Sequence, residues 1–85
     1  MAKWDQIMTT EASSTLQEVG RLIQLARKRR KMSSVELGRR VGVDRRTIAH
    51  LESGQPGVSI GVFIQALSVL NLTAGLGEAL KPEND

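Results

Sequence analysis

Arg27-Lys28-Arg29-Arg30-Lys31, Arg39-Arg40 and Arg45-Arg46 crowd into one stretch of an 85-residue chain. Residues 21–46 hold ten of the twelve Lys and Arg side chains, with Glu36 and Asp44 the only acids among them, a net charge of +8. The flanks are acidic: residues 1–20 carry −2 and residues 47–85 carry −3, which leaves the whole chain at +3. A helix face built only for solubility interleaves acids and bases at spacings of three or four, and almost no acids are available here. Charge concentrated in this way suits a polyanion, either nucleic acid or an anionic membrane surface.

Other chemistries find little to work with. The chain has no cysteine, so it has no disulfide frame, thiolate nucleophile or thiolate zinc site, and His50 is its only imidazole. One histidine without clustered carboxylates cannot assemble a nucleophile, a base and an orienting group, so neither an enzyme nor a metal or other cofactor is expected. No segment approaches the roughly 18 to 20 apolar residues that span a bilayer, and Met1 to Asp5 lack the apolar core of a signal peptide. The expected compartment is the cytoplasm, away from membranes; residues 27–31 adjoin no large apolar face of the kind an amphipathic anchor needs. Trp4 and Phe63 are the only aromatic rings, and neither lies in the basic stretch to stack unpaired bases. Double-stranded DNA is the polyanion that remains.

At 40 % apolar and 25 % charged residues, the chain suits one small folded domain. Residues 1–13 show no sustained period and read as an N-terminal arm, with a helix cap at Ser13 or Ser14. Helix one follows from Ser14 to Lys31, with Leu16, Val19, Ile23 and Ala26 at steps of three and four. Ser33-Ser34-Val35-Glu36 places a hydroxyl and, three residues later, a carboxylate for a reciprocal capping box; helix two runs from Ser34 to about Val41. Gly42 permits a tight exit, Val43 is a buried turn residue, and Asp44 caps helix three, from Arg45 to about Ser53. After the loop Gly54-Gln55-Pro56-Gly57, Ser59 caps helix four, whose inner face is Val62, Phe63, Ala66, Leu67 and Leu70.

Beyond Asn71 the period changes. Leu72, Ala74 and Leu76 alternate with Thr73, Gly75 and Gly77, which predicts a short strand, an irregular tail over the core being the alternative. A strand needs a partner edge, and the simplest source is a second copy of the chain, which makes Leu72, Ala74 and Leu76 dimerisation residues. The expected organisation is therefore an arm over 1–13, a helical domain over 14–71 and a dimerising strand or tail over 72–85. In fold class this is all-α, with four to five helices and a short C-terminal strand pairing across a dimer.

A short helix, a glycine turn and a second helix crossing it make a helix-turn-helix. Gly38 sits where the two helices approach most closely, Gly42 sits at the turn, and Leu37, Val41, Val43, Ile48 and Leu51 supply the buried contacts. From Arg27 to Leu70 the chain resembles the Xre, or lambda-repressor-like, helix-turn-helix domain of bacterial and phage regulators. Arg27, Ser33-Ser34-Val35-Glu36-Leu37-Gly38, Val41-Gly42-Val43, Thr47-Ile48 and Leu51-Glu52-Ser53-Gly54 carry the likeness, in order and in spacing.

The resemblance implies that Glu52 pairs with Arg27 and fixes helix three against helix one. It also implies that the start of helix three enters the major groove, where Arg45, Arg46 and His50 read base edges. An arginine fork can donate two parallel hydrogen bonds to N7 and O6 of guanine, so Arg45 and Arg46 suit G·C pairs. His50 either meets a base or phosphate or is merely exposed. Thr47 either contacts the DNA backbone or a thymine methyl group or packs against helix two. Backbone amides at the start of helix two, with Ser33 and Ser34 beside them, suit a phosphate. The family usually has glutamine at position 34, and serine is too short to bridge phosphate and base. Lys31 stands where glycine is common. Lys28, Arg29 and Lys31 are expected to face phosphate or solvent, and on helix two Arg39 rather than Arg40.

The stretch from Phe63 to Leu76 is similar to HipB-type antitoxins. That likeness implies a homodimer on a palindromic operator and a HipA-like Ser/Thr kinase toxin as partner. The alternatives are a stand-alone phage or plasmid Xre-type repressor and, from another class, a protein-interaction adaptor that binds no DNA.

Overall fold

Every helix but one in residues 7–85, the part described by the computed structural model, starts at a hydroxyl or carboxylate that accepts from a backbone amide of its first turn. The chain forms α1 (Thr10–Arg29), α2 (Ser34–Val41), α3 (Arg45–Glu52), α4 (Ile60–Val69) and α5 (Thr73–Ala79), then a 3-10 turn over Pro82–Asn84. The caps of α2, α3 and α4 are Ser33, Asp44 and Ser59, as their sequence positions predict.

The first helix starts earlier than expected. Thr9 accepts from the amide of Ala12 at 3.0 Å, so Thr10 to Ser13 belong to α1 rather than to an arm; residues 1–6 of that expected arm lie outside the described residues. Of four neighbouring hydroxyl residues able to cap, the one chosen keeps Ala12, Leu16 and Val19 along one groove with Phe63.

Leu37, Ile48, Ile23 and Leu70 are the largest fully buried side chains, joined by Leu51, Ala66 and Leu67. Val19, Ala26, Val41, Val43 and Phe63 pack around them half-buried. α3 lies against both α1 and α2, while α4 closes the core over α2. Two glycines permit these approaches. A Cβ on Gly38 would lie 2.6 Å from the Val43 carbonyl oxygen, and one on Gly20 would lie 2.6 Å from those of Leu51 and Glu52. Gly42, at φ +96°, closes α2 by donating to the Gly38 carbonyl.

The strand expected over residues 72–76 is a helix, and no strand is present among the described residues. Asn71 adopts φ +61°, and the Leu72 amide turns back to the Leu67 carbonyl at 2.8 Å, which ends α4 and re-aims the chain. With no neighbouring strand to supply backbone partners, Thr73–Ala79 satisfies its own amides and carbonyls as a helix packed on α4. Leu76 is half-buried against the core, while Leu72 and Ala74 are exposed.

Candidate nucleic-acid interface

The close approach at Gly38 brings the first turns of α2 and α3 side by side. Ser34, Asp44, Arg45, Arg46 and Ala49 line one shallow concavity between them. Both arginines are exposed and make no ion pair among the described residues. His50, one helical turn after Arg46, is also exposed. Thr47 is half-buried, and its hydroxyl and amide both donate to Oδ1 of Asp44 at 2.9 Å. Its hydroxyl proton is thus already engaged within the protein.

Ser33 spends its hydroxyl as the α2 cap, accepting from the Glu36 amide at 3.0 Å. The reciprocal half of the capping box is absent. Glu36 instead turns its carboxylate to Arg39 at 2.8 Å and Arg40 at 2.7 Å, one helical turn away on the outer face. The Arg40 hydrogen bond first, then the charges of Arg39 and Arg40, hold the Glu36 carboxyl below its usual range. Asp44 is likewise held low, first by the Thr47 amide, then by its hydroxyl, with Arg46 and His50 adding to the effect.

Within the run 27–31 each side chain has its own task, because adjacent helical positions point about 100° apart. Arg27 is buried. Its Nε and Nη2 donate to the two carboxylate oxygens of Glu52, and Nη1 donates to the Met32 carbonyl at 2.8 Å. One guanidinium therefore joins α1, the α1–α2 loop and the end of α3. That pairing with Glu52 holds its ionisation above even the usual arginine range.

Lys28 is exposed, whereas Arg29 borders a groove with Leu22, Leu25 and Leu72 on another side of α1. Lys31 takes the left-handed conformation at φ +55°, with its amide on the Lys28 carbonyl and the Met32 amide on that of Arg27. This closing turn explains why glycine suits the position.

Arg30 carries a role that sequence reasoning missed. It donates to the Ala26 carbonyl and, across 40 positions, to the Leu70 carbonyl, both at 2.7 Å, tying the ends of α1 and α4 together. No local signal announces a contact at that separation. Arg21, paired with Glu18 at 2.8 Å, drops out of the unpaired field. Lys28, Arg29, Lys31, Arg45 and Arg46 form no ion pair among the described residues. Also among the described residues, no helix is long and apolar enough to cross a membrane.

Neither the curated proteins nor the solved structures compared with the chain include a match. A family model described as a helix-turn-helix domain matches residues 18–80, which takes in all of α2, α3 and α4 and most of α1 and α5. With two short helices crossing at Gly38, the second locked to α1 by Arg27 and Glu52, the chain belongs to the helix-turn-helix domain family, of the Xre and lambda-repressor type.

Proposed function

We propose that this protein is a sequence-specific repressor that binds double-stranded DNA as a homodimer and occludes a promoter. The observation that carries the reading is the concavity shared by Ser34, Arg45, Arg46 and Ala49, with unpaired cations beside it. In this reading the start of α3 enters the major groove, Arg45, Arg46 and His50 meet base edges, and Ser33, Ser34, Thr47, Lys28, Arg29, Lys31 and Arg39 lie along the backbone. Arg27, Glu52, Gly38 and Gly42 hold that face in shape. Two recognition helices on an inverted repeat would sit about one duplex turn, roughly 34–36 Å, apart. Exposed Leu22, Leu25 and Leu72 around one groove support a second copy on that side.

An antitoxin role with a HipA-like kinase partner leaned on a strand over residues 72–76. The helix there withdraws that support, and the stand-alone repressor is the reading we favour. Its test is footprinting on the promoter of its own gene at two salt concentrations, with salt-dependent protection of an inverted repeat as the expected result. Arg46→Ala should relax preference at one base pair per half-site. Lys28→Ala should weaken all duplexes alike and lower the salt slope by about 0.9. Equal losses for Arg46→Ala on operator and random duplex would remove it as a base reader. No sequence preference in the unaltered protein would favour an adaptor with an acidic protein partner.

A further inference from the structure

Residues 21–46 contain two acids, and they are not equivalent. Glu36 is spent on Arg39 and Arg40. Asp44 forms no ion pair among the described residues, is exposed, and lines the same concavity as Ser34, Arg45, Arg46 and Ala49. Its orientation is fixed, because Oδ1 accepts from both the amide and the hydroxyl of Thr47 at 2.9 Å. Oδ2 accepts nothing among the described residues, so it stays open at that surface.

A fixed carboxylate is an awkward presence on a face that meets a polyanion. Phosphate oxygens repel it, and so do the N7, O6 and O4 acceptors of the bases. Capping does not require it, since serine and asparagine cap a helix as well as aspartate does. The donors that a major groove offers are the exocyclic amines, N4 of cytosine and N6 of adenine. A carboxylate is rewarded where such an amine lies and penalised everywhere else.

Resting on the DNA-reading function proposed above, we infer that Asp44 is a specificity-determining residue whose free Oδ2 accepts from an exocyclic base amine in the major groove. It sharpens recognition chiefly by weakening the hold on wrong sequences. The same carboxylate thus starts the recognition helix and reads beside it.

The test is selection of binding sites from a randomised duplex pool by the unaltered protein, Asp44→Ser and Asp44→Asn, followed by competition between the selected site and random duplex. Serine keeps the cap without the charge, and asparagine keeps the shape as well; thermal melting of each confirms the fold. The site selected by the unaltered protein should hold a cytosine or adenine at one position per half-site, and Asp44→Ser should lose that preference. Its affinity for random duplex should rise severalfold, and its ratio of specific to random binding should fall about tenfold. An unchanged motif and ratio in both folded variants would overturn the inference and leave Asp44 a cap alone. An equal gain on every duplex would overturn it too. Failure of the DNA-reading function itself shows separately, as absence of any selected site with the unaltered protein.

Discussion

Arg27 and Glu52, 25 positions apart, meet through two parallel hydrogen bonds, Nε to Oε2 at 2.7 Å and Nη2 to Oε1 at 3.0 Å, with both side chains buried. The third donor, Nη1, takes the Met32 carbonyl, so the guanidinium leaves no buried polar atom unpartnered. Removing either partner strands a charge away from water. Arg27→Ala or Glu52→Ala should therefore cost about 3–5 kcal/mol in denaturant unfolding. Arg27→Met with Glu52→Leu should cost far less than the two single losses combined, because no charge is then left buried. Arg27→Lys should not rescue, since an ammonium cannot reproduce the fork.

Lys31 offers a substitution with two readouts of opposite sign. Its backbone sits at φ +55°, which costs a non-glycine residue about 1–2 kcal/mol, and part of any relief returns as unfolded-chain entropy. Lys31→Gly should stabilise the fold by about 0.5–1 kcal/mol by thermal melting. The same variant should bind every duplex more weakly, with a salt slope lower by about 0.9. Unchanged binding would place Lys31 away from the phosphates.

Gly75 and Gly77 lie within α5, and a Cβ at either meets nothing within 4 Å. Alanine at each position should raise helix stability by about 0.5–1 kcal/mol, seen as a higher melting midpoint and stronger helical Cα shifts over residues 73–79. Loss of stability on both changes would argue against a helix there.

Asp44 and Glu36 set an acid limit. Both carboxyls are held below their usual range in the folded chain, so the unfolded chain takes up protons first as pH falls. The stabilisation is complete above the unfolded carboxylate values near 4 and disappears as pH drops through the lower folded ones. Melting midpoints should fall on acidification below about pH 4–5, and Asp44→Asn should flatten that fall while keeping the α3 cap.

What the sequence by itself determined lies within a few residues of its cause. Ser33, Asp44 and Ser59 each cap the helix that begins at the next residue, and Gly42 supplies the left-handed exit, because capping is a contact between neighbours three positions apart. Periodicity marked Ile23, Leu37, Ile48, Leu51 and Leu70 as core for the same local reason. The Arg27–Glu52 pairing came from family likeness rather than from any local pattern.

Tertiary structure decided the rest. Thr9 rather than Ser13 or Ser14 opens α1, although each is a competent cap. Glu36 turns to two arginines instead of back to the α2 start. Arg30 reaches Leu70, and Arg29 parts from Lys28 to border Leu72. The segment after Asn71 alternates like a strand yet coils into α5. An alternating pattern sets only which side chains share a face; whether the backbone becomes strand or helix depends on an adjacent edge to bond with, and that edge is a property of the assembled fold.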